Sequence, residues 1–76
     1  MSETFKKIVA IIGDVADIPE EDIQEESNLI DDLDLSSLEI MSIISKIEKA
    51  FSIKMSEKEL LSIENISDLL KYVDSL

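Results

Sequence analysis

The sequence predicts an all-α fold: a small bundle of three principal helices plus one short helix, with a long first loop. Three observations lead there. Apolar residues recur at i, i+3, i+4 and i+7 in separate stretches, the period of one helix face. Serine or asparagine stands three residues ahead of Glu or Asp where several of those stretches begin, which marks helix starts. One glycine and one proline in 76 residues are too few for a chain of short strands and turns.

The first helix is expected from about Thr4 to Val15, where Phe5, Ile8, Val9 and Ile12 form a stripe. The β-branched run from Ile8 to Ile12 would suit a strand, but length and period favour a helix; Gly13 and Asp14 weaken its C-terminal end. From Asp17 to Leu35 the chain reads as a long ordered loop. Pro19 is placed to start a short turn at Glu20–Ile23. Ile18, Ile23, Leu29, Ile30, Leu33 and Leu35 are expected to pin this loop to the core.

The second helix has the sharpest start. Ser36 and Glu39 form a capping box, with Ser36 at the N-cap and Glu39 at N3. Ile40, Ile43, Ile44, Ile47 and Phe51 make its apolar stripe, and it should end near Ala50 or Phe51. Ser56 and Glu59 form a second box that opens a short helix through Leu60 and Leu61. A last helix starts near Asn65, with Asp68 at N3 and a stripe of Ile66, Leu69, Leu70 and Val73.

Length allows a single domain spanning residues 1–76. Hydrophobic residues make up 45%, enough for a folded core. The chain has no Cys, His, Arg or Trp. Those absences exclude a disulfide framework, a thiol nucleophile and a Ser–His triad, and they argue against an enzyme. The net charge of −11 argues against nucleic acid and anionic membranes, and points to partners with basic surfaces. No apolar run is long enough to span a bilayer, and the segment from Ile8 to Ile12 is too short for a secretion signal, so a cytoplasmic protein is expected.

The charge is uneven. Residues 1–35 carry 11 acids and two lysines; residues 36–76 carry seven acids and five lysines. Nine acids and no lysine lie between Asp17 and Asp34, either a solvated loop or an acidic collar beside a docking site. The run from Asp32 to Ser36 begins like a calcium-binding EF-hand loop. That loop needs Gly at its sixth position and Glu at its twelfth, where Ser37 and Ile43 stand. No dedicated metal site is therefore expected, beyond weak divalent binding by the collar. The pair Asp31 and Asp32 reads as surface charge rather than a catalytic dyad.

Ser37 is the residue of interest. On a helical wheel of about 100° per residue, the core stripe of the second helix spans about 240–340° from Ser37. Glu48, Met41, Ser45 and Leu38 fall within about 100° of it on the outward side. A phosphate attached to Ser37 would meet the unpaired N–H groups and the positive dipole end of the helix.

The stretch NLIDDLDLSSLEIMSIISKIEKAF, Asn28 to Phe51, resembles acyl carrier proteins, and the likeness runs from about Glu3 to Val73. In that family an acidic–leucine step, here Asp32-Leu33, precedes an Asp-Ser-Leu motif that opens the second helix. The resemblance makes Ser37 the attachment point of 4′-phosphopantetheine and Leu38 the motif leucine. Phe51-Ser52-Ile53-Lys54-Met55, and Ile63 to Val73 with Tyr72, follow the family pattern too.

The chain departs from that pattern where Ser36 replaces the motif Asp, and where Asp34 and Leu35 replace positions often held by Gly and a small residue. Lys46 and Lys49 also make the second helix less acidic than is usual, which favours a specialised carrier over a housekeeping fatty-acid carrier.

The resemblance implies a carrier of acyl thioesters for fatty-acid, polyketide or related biosynthesis, and no catalytic residues of its own. Implied partners are a phosphopantetheinyl transferase and synthases, ligases or acyl-transferring enzymes with basic docking surfaces. A monomer is expected. Leu38 and Met41 are the expected docking residues, with Asp34, Glu39 and Glu48 as their charged rim. The competing reading is an unmodified acidic helical adaptor in a protein complex, which would lose little on replacement of Ser37.

Overall fold

A computed structural model describes residues 3–75. Its elements are α1 (Glu3–Ala16), a 3₁₀ turn (Glu20–Asp22), α2 (Ser37–Phe51), the short α3 (Glu57–Leu61) and α4 (Ile66–Asp74). No β-strand forms among the described residues; one isolated bridge pairs Asn28 with Asn65.

The apolar stripes become the core. Six large side chains are fully buried, two from each principal helix: Ile8 and Ile12, Ile43 and Ile47, Ile66 and Leu69. Each pair lies three or four residues apart, so one face of each helix turns inward. α1 packs on both α2 and α4. Ile40 and Phe51, at the two ends of the α2 stripe, are only half-buried. The ammonium of Lys7 lies 5.8 Å from the centre of the Phe51 ring, so its stem and charge cover that exposed edge.

Gly13 does not end α1, which continues to Ala16. A Cβ there would lie 3.0 Å from the carbonyl oxygen of Ile18. The glycine lets the chain fold back on the helix immediately after Asp17, which turns it at φ 57°. Steric need outweighs the propensity cost of about 1 kcal/mol for glycine inside a helix.

The long loop is ordered by its own hydrogen bonds. The N–H groups of Asp22 and Ile23 donate to the carbonyls of Pro19 and Glu20 at 2.9 and 3.1 Å, closing the 3₁₀ turn. Asn28 Oδ1 accepts from the N–H groups of Ile30 and Asp31, both at 2.9 Å, while Asp32 Oδ2 accepts from Asn28 N–H at 2.7 Å. This tight turn points Leu29 and Leu35 into the core and leaves Ile30 in solvent. Ile23, Leu29 and Leu35 are buried, and Ile18 and Leu33 pack against them. Ile30 is therefore a correction to the expected set of anchors: the Asn28 turn reverses the chain under it.

The loop is also tied to the α3–α4 corner. Leu29 N–H donates to the Glu64 carbonyl at 2.9 Å, Ile66 N–H to Ser27 at 3.1 Å, and Ser67 N–H to Glu25 at 2.7 Å. The connection is thus part of the fold, held through Glu25, Ser27 and Leu29 in the middle of its acidic stretch.

All nine acids between Asp17 and Asp34 are exposed. Among the described residues no group of three or more could hold a metal ion, so their expected effect is mutual repulsion. Screening at about 0.1 M salt shortens the Debye length to about 10 Å. The melting temperature should rise from low salt to 0.2 M sodium chloride, about as much as with magnesium chloride at equal ionic strength. A melting temperature that ignores salt would show the acids to be already too far apart to matter.

Candidate functional site

The start of α2 is set by its cap. Ser36 Oγ accepts from Glu39 N–H at 3.2 Å, and Glu39 Oε1 accepts from Ser36 N–H at 2.9 Å. Two of the helix's open donors are thereby satisfied. Ser37 follows at the first helical position, exposed and outside this exchange. Asp34 bends the chain just ahead of the cap at φ 53°. That left-handed conformation accounts for the position where the resemblance expects Gly, because Asp is among the few other residues that adopt it readily.

Beside Ser37 lies an apolar groove of about 450 Å³ between α2 and α3, lined by Ile40, Met41, Ile44, Met55, Leu60 and Leu61, with Ser45 and Glu48 at its polar edge. A neighbouring groove of about 490 Å³ shares Ile40, Ile44, Leu60 and Leu61, and reaches Asn28 and Ile30 of the loop. The large exposed hydrophobics, Leu38 at 79%, Met41 at 67%, Leu61 at 81% and Ile30 at 62%, gather on α2 and along these grooves. A contiguous apolar surface of this kind, rimmed by polar groups, marks a contact or ligand surface.

The sequence pattern named Leu38 and Met41 but missed Ile30 and Leu61. Leu61 could have been found, since a five-residue helix with adjacent leucines turns only one of them inward.

The expected docking residues do not form one uniform set. Leu38, Met41 and Asp34 are exposed. Glu39 and Glu48 are half-buried and committed within the chain, Glu39 to the cap and Glu48 through Oε2, which accepts from Met55 N–H at 2.7 Å. That contact fixes the floor of the groove beside Ser37, because Met55 is buried there.

Two perturbed titrating groups lie outside the linings of these grooves, where Tyr72 of α4 meets Glu59 of α3 and the segment before it. The Tyr72 hydroxyl donates to the Lys54 carbonyl at 3.0 Å. Ser56 N–H donates to Glu59 Oε1 at 2.9 Å. Glu59 is held below its ordinary value of 4.5 by that backbone donor first, then by the Tyr72 and Ser56 hydroxyls. Tyr72 is pushed above 10.0 chiefly by the neighbouring Glu59 carboxylate, then by burial and the negative charge of Glu48.

The lowered Glu59 adds stability that is complete above pH 4.5 and is lost as the pH falls through its folded value. The raised Tyr72 adds stability that is complete below pH 10.0 and is lost as the pH climbs through its folded value. Melting temperature against pH should therefore fall at both ends. Tyr72→Phe should flatten the alkaline limb; an unchanged limb would assign that loss to other groups.

The start of α2 thus places an exposed serine hydroxyl, free of the cap, beside an apolar groove of a small helical bundle. The family model for the phosphopantetheine attachment site matches residues 6–73, and the chain belongs to this family of phosphopantetheine-bearing carrier proteins.

An acyl carrier protein of Thermotoga maritima is 31% identical over 72 residues, covering 95% of this chain and 89% of that one. One of Clostridium acetobutylicum is 35% identical over 69 residues, covering 91% and 90%. The solved structure of an acyl carrier protein from Enterococcus faecalis superposes with a TM-score of 0.79 at 26% identity, covering 96% and 92%.

Members of the family carry 4′-phosphopantetheine covalently and work with phosphopantetheinyl transferases and biosynthetic enzymes; they are carriers, not enzymes. Among the described residues no helix is long and apolar enough to cross a membrane.

Proposed function

We propose that residues 1–76 form a single carrier domain that receives 4′-phosphopantetheine on the Ser37 hydroxyl and presents acyl intermediates to partner enzymes. The observation that carries this reading is the division of labour between adjacent serines: Ser36 is consumed by the cap, and Ser37 is exposed at the mouth of the groove. The attached group supplies a terminal thiol for the thioester.

The chain's own residues do the rest. The open N–H groups at the start of α2 face an anion at Ser37, and the positive end of the helix dipole favours it. The groove offers apolar walls to an acyl chain. Leu38 and Met41 offer an apolar docking contact, and the arm's tether raises the effective concentration of cargo at each docked enzyme.

Fatty-acid or polyketide synthesis by a specialised carrier in the cytoplasm, acting as a monomer, is the setting that best suits these features. Incubation with coenzyme A and a promiscuous phosphopantetheinyl transferase, followed by intact-mass measurement, tests the reading. One added phosphopantetheine is the expected result. An unmodified chain would favour the acidic adaptor reading.

A further inference from the structure

We propose that the outward face of α2 selects partner enzymes whose docking rim carries carboxylates opposite Lys46 and Lys49, beside an apolar socket for Leu38 and Met41. The proposal rests on the carrier reading of Ser37 and adds the chemistry of the partner.

Every exposed charged side chain on α2 is a lysine. The helix has two acids, Glu39 and Glu48, and both are half-buried and spent on backbone N–H groups of this chain, Ser36 at 2.9 Å and Met55 at 2.7 Å. Leu38, Ser42, Ser45 and Lys49 succeed one another at i, i+4, i+7 and i+11 and are all exposed, so Lys49 continues the outward ridge that Leu38 begins. Lys46 lies on the flank of the same ridge.

At about 1.5 Å per residue, Lys46 and Lys49 stand about 14 and 18 Å along the axis from Ser37. A partner that receives an arm from Ser37 and lies along α2 meets them. The exposed acids lie off α2: nine between Asp17 and Asp34, ahead of Ser37 in the chain, and Glu3, Asp14, Glu57, Glu64 and Asp74 on the other elements and their connections.

The surface around Ser37 is therefore divided in sign. The excess negative charge draws partners at long range, but short-range contact along α2 is with cations. A uniformly basic rim gains against Asp34 and the loop and loses against both lysines. A rim that turns acidic about 14–18 Å from the point of arm entry meets both halves. Lys49, in the last turn of α2, also complements the helix dipole, but Lys46 lies a turn earlier and has no such role.

The test uses full-length chain carrying the arm, as wild type, Lys46→Gln/Lys49→Gln and Lys46→Glu/Lys49→Glu. The probe is an acyltransferase of carrier proteins with a basic docking rim. It is used in its native form and in a form with the basic residues about 14–18 Å from its tunnel mouth replaced by Glu. With the native rim, Lys46→Glu/Lys49→Glu should lower KM about fivefold to tenfold, with Lys46→Gln/Lys49→Gln in between. With the altered rim the order should reverse. The change should fall on KM rather than kcat and shrink as salt rises.

Thermal melts matching wild type keep folding out of the comparison. Equal KM values across all pairings, or a wild type that prefers the native basic rim, would overturn the proposal. A chain that accepts no arm at Ser37 would instead overturn the carrier reading, a result already visible in the intact mass.

Discussion

Ser37→Ala should abolish the mass gain on incubation with coenzyme A and a phosphopantetheinyl transferase, and with it all loading and acyl transfer. Ser36→Ala should keep the mass gain while costing about 0.5–2 kcal/mol of stability. The two serines are neighbours in sequence but differ in what they hold. Ser36 Oγ satisfies Glu39 N–H, and removing it leaves a helix donor without its cap and loosens the return bond from Glu39.

Ser37 lies at the first helical position and exposed, where alanine suits the helix and little packing is lost. Its replacement should shift stability by no more than about 0.5 kcal/mol. Loss of modification in a chain that melts normally is then a loss of the nucleophilic hydroxyl and not of the fold. A mass gain that survives Ser37→Ala, or disappears in Ser36→Ala alone, would move the attachment site.

The elements most legible in the sequence are those whose signals are local. The cap at Ser36 with Glu39, the one at Ser56 with Glu59, and Asn65 with Asp68 all form as paired side-chain and backbone hydrogen bonds. Each rests on a three-residue spacing that needs no tertiary partner. The helical stripes were legible for the same reason, and their central residues are the fully buried ones.

What the pattern could not give depends on contacts between distant segments. Gly13 reads only as a weak point near the end of the first helix, and its use inside α1 shows in the structure, where a Cβ would lie 3.0 Å from the Ile18 carbonyl oxygen. Ile30 reads as one more apolar anchor, but the Asn28 turn, tied to Glu64 and Asn65, faces it outward. Glu48 reads as surface charge, while its carboxylate is bound to the N–H of Met55, seven residues away. Ser37 is singled out as the proposed attachment point by the motif around it, and the structure places it exposed at the first position of α2. Its groove was not legible, because that depends on where α3 places Leu60, Leu61 and Met55.

Ile47→Ala should cost about 2–5 kcal/mol, a large share of the stability of a domain this small, whereas Met41→Ala should cost well under half of that and still slow loading or acyl transfer by a partner. Both residues lie on α2 and both are large and apolar, so propensity and hydropathy do not separate them. Burial does. Ile47 is fully enclosed beside Ile43 and among the buried residues of the other helices, and its truncation leaves a cavity that close-packed neighbours fill only in part.

Met41 is 67% exposed at the edge of the groove next to Ser37. Most of its surface is in water already, so truncation forfeits little burial within the chain. What it removes is apolar area that a docked enzyme would cover. The loss should therefore appear as a raised KM in a transfer assay rather than as a lower unfolding midpoint. Denaturant melts of Met41→Ala and Ile47→Ala, run beside transfer kinetics of Met41→Ala, decide between contact surface and core. If Met41→Ala unfolds as readily as Ile47→Ala, this edge of α2 belongs to the core. If it transfers cargo as fast as wild type, the exposed methionine is not where partners bind.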